Sequence, residues 1–77
     1  MEDLIKLLIE PLVKDIKKVK IEKMADGQNI TFNVHVPKED IAKVIGREGK
    51  MIKSIKNLLK IRAIKENVFA HLEVYEA

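Results

Sequence analysis

Two glycines three positions apart mark the segment of this sequence with the clearest chemical potential. Gly46 and Gly49 enclose Arg47 and Glu48, and Lys50 follows directly. Glycine is required where φ is positive or where another backbone comes close, and a simple connection between two helices needs only one. If a helix starts after Gly49, its unpaired first amides and its positive dipole end favour a bound phosphate. The spacing therefore predicts an anion-binding loop, and a tight connector between two helices is the alternative.

Positive charge is concentrated in the stretch that contains this loop. The net charge of the whole chain is +3, but residues Lys43 to Lys65 hold eight basic residues and a single acidic one, Glu48. The rest of the chain holds seven basic and eleven acidic residues, so it is net negative. A local concentration of this kind is typical of a surface that binds a polyanion, and a solvated helix face is the other interpretation.

Composition restricts the chain to one small domain, residues 1–77, that depends on its hydrophobic core. Hydrophobic residues make up 47% of the sequence, and there is no cysteine for a disulfide or a cysteine-based zinc site. No apolar run approaches the roughly 18 to 20 residues that span a bilayer, and no signal peptide is recognised at the N-terminus. We therefore expect no membrane span and a cytoplasmic location.

Enzymatic chemistry has little support in the sequence. His35 and His71 fall on the polar side of alternating segments, and neither has an acid or cysteine partner that the sequence would place beside it. The two loop glycines have the wrong spacing for a P-loop, and no dinucleotide fingerprint is present. The sequence therefore predicts a protein that is not an enzyme, with no catalytic residue, no metal site and no cofactor.

Hydrophobic periodicity predicts the elements that position the loop. Helical spacing runs from Glu2 to Lys17, with a kink or a loosened turn expected at Pro11. Two alternating segments around Asp26 and Gly27 predict a hairpin. A short helix (39–44) and a long helix (50–67) flank the loop, and a final strand runs from Val68 to the end of the sequence. This order, α-β-β-α-α-β, predicts an α+β two-layer sandwich in which the helices cover one face of a three-stranded sheet.

The run Val-Ile-Gly-x-x-Gly-x-x-Ile from Val44 to Ile52 resembles the signature of the KH domain. The additional helix and strand on the N-terminal side resemble the type II arrangement, which implies a mixed sheet. The opening Leu-Ile-Glu-Pro-Leu-Val, Leu8 to Val13, is similar to small bacterial single-KH proteins of the KhpA (YlqC) family. The resemblance covers essentially the whole chain.

This resemblance implies single-stranded RNA as the ligand and a role as an RNA chaperone or post-transcriptional regulator. The loop would hold the backbone of about four nucleotides while the bases lie on an apolar floor. Carried over by position, the residues expected to contact RNA are Lys43, Val44, Ile45, Gly46, Arg47, Glu48, Gly49, Lys50 and Lys53. Ile52 would anchor the second helix under the floor. Glu48 departs from the basic or small residues common in this loop, so it weakens binding, points away from the phosphates or stabilises the helix N-terminus.

Protein association is the second function that the sequence suggests. Ile61 and Ile64 lie three positions apart on the long helix, away from the side that carries its other apolar residues. The resemblance implies a homodimer and also a heterodimer with a larger KH-containing RNA-binding protein. We therefore expect Ile61 and Ile64 to form an interface that accompanies RNA binding, and a pure interaction scaffold is the alternative.

Overall fold

A computed structural model describes all 77 residues and contains three α-helices and three β-strands. In chain order they are α1 (Glu2–Ile9), β1 (Lys20–Asp26), β2 (Asn29–Val36), α2 (Lys38–Ile45), α3 (Lys50–Lys65) and β3 (Phe69–Glu76). The predicted order, α-β-β-α-α-β, is confirmed. None of the helices has both the length and the apolar character needed to cross a membrane.

The first helix is shorter than the sequence predicted. We expected one helix from Glu2 to Lys17 with a kink or a loosened turn at Pro11, but α1 ends at Ile9 and a 3₁₀ turn with Pro11 follows it, Glu10–Leu12. Proline lacks the amide for the next helical hydrogen bond, and its ring crowds the preceding turn. The apolar residues beyond it, Leu12, Val13 and Ile16, still pack against the core. Their helical spacing therefore reflected burial and did not reflect a continuous helix.

A buried acid fastens the segment after Pro11 to the second helix. Asp40, in the first turn of α2, is only 1% exposed, and its Oδ2 accepts a hydrogen bond from the Lys14 amide at 3.3 Å. Its other carboxylate oxygen, Oδ1, has no protein partner. Its position in the first turn of α2 also places its charge near the positive end of the helix dipole. The structure adds a tertiary contact across 26 positions of the sequence.

The sheet is mixed, with strand order β1-β2-β3. β1 and β2 are antiparallel and joined by the two residues Gly27 and Gln28, as the Asp26-Gly27 pair predicted. β2 and β3 are parallel, and their register begins with Asn29 opposite Phe69. Because β2 and β3 are adjacent and parallel, the connection between them has to cross the sheet, and α2, the loop and α3 make this crossing.

One face of the sheet forms the core together with the helices. Nine buried residues make a single cluster, and they come from both layers: Ile5, Ile9, Phe32, Val34, Val36, Val44, Ile55, Leu59 and Leu72. Phe32, the largest of these side chains, is 1% exposed. The opposite face of the sheet carries no helix. The predicted two-layer α+β sandwich is therefore confirmed.

Candidate nucleic-acid interface

The loop between α2 and α3 is a tight turn that depends on backbone conformations unusual for most residues. Gly46 ends α2 with φ 77° and ψ 175°, and Gly49 precedes α3 with φ 75° and ψ 13°. The Gly49 amide donates a hydrogen bond to the Gly46 carbonyl at 3.2 Å, which closes the turn. Both glycines therefore occupy positive φ values that disfavour a side chain.

The two glycines differ in what surrounds them. A Cβ on Gly46 would lie 2.5 Å from the Met51 Cβ and 2.8 Å from the Met51 amide nitrogen. A Cβ on Gly49 would meet only a methyl group of Ile52, at 4.0 Å. Gly46 is thus required by the close approach of the first turn of α3. Gly49 leaves its side of the loop open to an outside molecule.

Between the glycines, Arg47 and Glu48 are exposed, and Glu48 adopts a left-handed conformation with φ 57° and ψ 24°. A residue other than glycine in this region is strained. The Glu48 carboxylate makes no hydrogen bond or ion pair with the protein. Nothing in the structure ties Glu48 to the N-terminus of α3 by a side-chain contact, since no side-chain cap is formed there.

The predicted apolar floor divides into buried and exposed residues. Val44 is fully buried at 0%, so it supports the site from below and offers no surface to a ligand. Ile45 is 37% exposed and lies next to the loop, which makes it available for contact. Ile52 is partly buried and packs against the core, in agreement with the anchoring position expected for it. Of these three residues, only Ile45 presents a substantial surface.

Lysines line the exposed side of α3 from the loop onward. Lys50, Lys53, Lys56 and Lys60 are all exposed, and their spacing of three, three and four residues puts them on one side of the helix. None of them takes part in an ion pair, and Arg62 is the only basic residue of α3 that does. Lys43, at the end of α2, is exposed and unpaired as well. We call the four α3 residues the lysine stripe.

A groove that was not predicted from the sequence runs between the lysine stripe and β3. One part of the groove, of about 210 Å³, is bordered by Lys56 and Lys60 on one side and by four consecutive β3 residues on the other, Ala70, His71, Leu72 and Glu73. β3 is an edge strand. The groove depends on how two distant segments pack, so no local pattern in the sequence marks it.

Ile61 and Ile64 are exposed, as expected, by 55% and 66%. They lie on the C-terminal half of α3, beyond the last residue of the lysine stripe. At 1.5 Å per residue, Ile61 lies about 17 Å along the helix from Lys50. The structure therefore places the predicted interface and the predicted loop at opposite ends of the same helix.

The two histidines have different environments. His71 is exposed, whereas His35 contacts the Glu22 carboxylate and stacks on Tyr75 with ring centroids 5.4 Å apart. The sequence suggested that His35 has no acid partner. This prediction is wrong, because β1 brings Glu22 diagonally across from His35. The structure contains no group of three or more residues arranged to hold a metal ion.

Comparisons with known proteins agree on one family. The family model described as "KhpA/KhpB, KH domain" matches residues 2–74. RNA-binding protein KhpA of Chlamydia caviae is 37% identical over 76 residues, which cover 99% of this chain and 97% of that protein. RNA-binding protein KhpA of Listeria monocytogenes is 33% identical over 76 residues, and that of Clostridium perfringens is 31% identical over 74 residues. These matches cover 99% and 96% of this chain, and 100% and 99% of the two relatives.

Proposed function

This chain belongs to the KhpA/KhpB family of KH domains, which is not a family of enzymes, and on that basis we propose that it binds single-stranded RNA. The phosphate backbone contacts the loop from Gly46 to Gly49. The observation that carries this proposal is the open side of Gly49 at the N-terminus of α3. There a backbone can approach closely, and exposed Arg47 and Lys50 supply positive charge.

The lysine stripe extends the backbone contact beyond the loop. Its members are unpaired and exposed, so they gain an anionic partner without first losing an intramolecular one. Arg62 is already bonded to Glu66 at 2.8 Å and is not part of this contact. Residues Lys56 and Lys60 therefore join the positions expected from the sequence, with the exception of Val44, which is buried.

The bases lie in the groove between the lysine stripe and β3. In β3 the Phe69 amide donates to Gln28 and the Ala77 amide donates to Val36, so the odd-numbered residues bond toward β2. Backbone groups of the alternate residues, Ala70 and Leu72, point to the free edge of the sheet. They offer donors and acceptors to the edges of unpaired bases, and exposed Ile45 contributes an apolar contact.

The affinity of a single domain for a few nucleotides is modest. We expect a Kd of about 10⁻⁴ to 10⁻⁶ M at physiological salt, with a strong dependence on ionic strength because displaced counterions drive the binding. Weak binding of this type suits an RNA chaperone or a post-transcriptional regulator in the cytoplasm, which has to release its RNA. Crosslinking in cells followed by RNA sequencing identifies the RNAs concerned.

Titration with short oligoribonucleotides at low ionic strength tests the proposal. Amide resonances of residues 44–53 are expected to shift, because these residues form the end of α2, the loop and the first turn of α3. Gly49→Asp is expected to abolish the shifts while the fold remains, since a Cβ at Gly49 makes only an ordinary contact at 4.0 Å with Ile52 and the remaining cost is the strain of its positive φ. Unmoved resonances in the wild-type protein would contradict RNA binding at this loop.

A second candidate function is self-association through Ile61 and Ile64. These isoleucines are separated by one helical turn and expose an apolar surface on the most basic helix of the protein. A homodimer, or a heterodimer with a larger KH-containing RNA-binding protein, would remove this surface from water. Two linked loops would also strengthen RNA binding through avidity. Association therefore supports RNA binding and does not replace it.

A further inference from the structure

The largest hollow on the surface lies at the far end of α3 from the loop. Its volume is about 620 Å³, and three segments that are distant in the sequence surround it: the β1–β2 turn, the end of α3 and the start of β3. The volume falls within the range of about 300 to 1,000 Å³ that is typical of ligand sites. None of the residues expected to contact RNA from the sequence borders it.

We propose that this hollow, the distal pocket, binds an unpaired purine base of an RNA strand whose backbone is held at the loop. The proposal rests on the proposed RNA-binding function. A strand that reaches the distal pocket has to run along α3 from Lys50 to Lys60, about 15 Å at 1.5 Å per residue. The distal pocket is therefore filled only by RNA longer than the segment that the loop itself holds.

The side chains around the distal pocket have the chemistry that an unpaired base requires. Phe69 is 63% exposed at its border, so its ring is available for stacking. Gln28 and Asn67 also border it, and neither side-chain amide makes a hydrogen bond within the protein. Each amide offers donors and an acceptor, and side chains of this type pair with the edge of adenine.

Charge favours a nucleic acid over other occupants. Lys60 borders both the distal pocket and the adjoining 210 Å³ groove, and Lys56 borders the groove. The lysine stripe thus leads without interruption from the loop to the distal pocket. A polyanion that contacts the loop can follow this path, whereas an uncharged or apolar partner gains nothing from it. Ile64 forms part of the wall, so RNA in the distal pocket and a second copy of the chain bound through Ile64 exclude each other, and only RNA binding at the loop is compatible with both.

Fluorescence anisotropy with oligoadenylates of four and eight nucleotides at low ionic strength tests this proposal. The wild-type protein is expected to bind the longer RNA about tenfold more tightly than the shorter one, since stacking of one base contributes about that factor. The variant Phe69→Ser with Asn67→Gly is expected to bind the shorter RNA as the wild type does and to lose the gain on the longer RNA. Asn67 has φ 57°, so glycine preserves the turn. Leu7→Ser, which changes a 69% exposed residue of α1, is the matched control and should keep the gain.

Four results would overturn the proposal. A variant with the full gain on the longer RNA would show that the distal pocket is not used. Equal affinity of the wild-type protein for the two oligoadenylates would also show that the distal pocket is not used, and it would not contradict RNA binding at the loop. Equal gains for oligoadenylate and oligouridylate would remove the purine preference. A variant whose sedimentation mass falls while its RNA binding is unchanged would assign the pocket to a contact between copies. Failure of both RNAs to bind the wild type would instead contradict the proposed function itself.

Discussion

Gly46 and Met51 are so close that a single added carbon at Gly46 would lie 2.5 Å from the Met51 Cβ. This contact fixes where α3 starts relative to the end of α2. It also gives the two loop glycines separate roles, because Gly49 has no comparable neighbour. Experiments that change both glycines at once therefore mix a loss of packing with a loss of ligand access.

Single substitutions separate the two effects. We expect Gly46→Ala to lower the free energy of unfolding by about 3 kcal/mol or more, because backbone strain adds to a clash with Met51. Gly49→Ala is expected to cost about 1 to 2 kcal/mol, from its left-handed conformation alone. Urea denaturation measures both values. Equal losses for the two variants would contradict the distinction.

The lysine stripe sets the salt dependence of RNA binding. Replacing Lys53 and Lys56 with Gln is expected to reduce the slope of log Kobs against log salt by about 0.7 for each lysine that contacts a phosphate. Lys6 and Lys18 are exposed lysines outside the basic stretch and provide the control pair. An unchanged slope in the Lys53 and Lys56 variant would exclude the stripe from the RNA path.

Glu48 is expected to be unfavourable for both stability and binding. Glu48→Gly relieves its left-handed strain and should raise the free energy of unfolding by about 1 kcal/mol. Glu48→Gln removes the negative charge but keeps the strain. Both variants are expected to bind RNA more tightly at low salt, by about 0.2 to 1 kcal/mol, and only Glu48→Gly should be more stable. Weaker binding by Glu48→Gln would show that the carboxylate assists the site.

Charged residues at the isoleucine pair are expected to prevent self-association. Ile61→Asp with Ile64→Asp should sediment as a monomer at concentrations where the wild type is a dimer, because burial of two carboxylates in an apolar contact is costly. Leu7→Asp alters an exposed apolar residue on α1 and should leave the mass unchanged. If the double variant keeps the wild-type mass, the interface lies elsewhere.

Asp40 is expected to contribute to stability through its contact with the Lys14 amide. Asp40→Ala leaves this part-buried amide without its partner, which should lower the free energy of unfolding by about 1 to 3 kcal/mol. The adjacent Glu39 is exposed and forms only a surface ion pair, at 3.6 Å from Lys14. Glu39→Ala should therefore change stability by about 0.5 kcal/mol or less. Similar losses for both variants would argue against the Asp40 contact.

Local sequence patterns were sufficient for most of the fold. Alternation predicted the three strands, and the long helix was predicted to end near Asn67, which lies two residues beyond the end of α3 with a φ of 57°. The pattern around Pro11 was misleading. Leu12 and Ile16 pack against the core from outside α1, and their helical spacing suggested a continuous helix. The helix ends before Pro11 because of the missing amide hydrogen and the bulk of the proline ring, which the hydrophobic periodicity does not show.

Features that depend on tertiary packing could not be predicted in this way. The burial of Val44 and Asp40 follows from segments far away in the sequence, and so does the groove beside β3. The loop itself was recognisable from two glycines and their basic neighbours. The sequence contains no signal for the different surroundings of Gly46 and Gly49, because these depend on where the first turn of α3 lies.

The parallel pairing of β2 and β3 has a consequence for peptides cut from this protein. Residues 38–65 contain both flanking helices and the loop, yet the strands that hold them at each end lie outside that range. The eight residues of α2 are too few for a stable helix in water, and α3 loses the tertiary packing from which most helical stability comes. A synthetic fragment would therefore keep the positive charge and bind RNA without discrimination. It would lose the folded protein surface that distinguishes a single strand from any other polyanion.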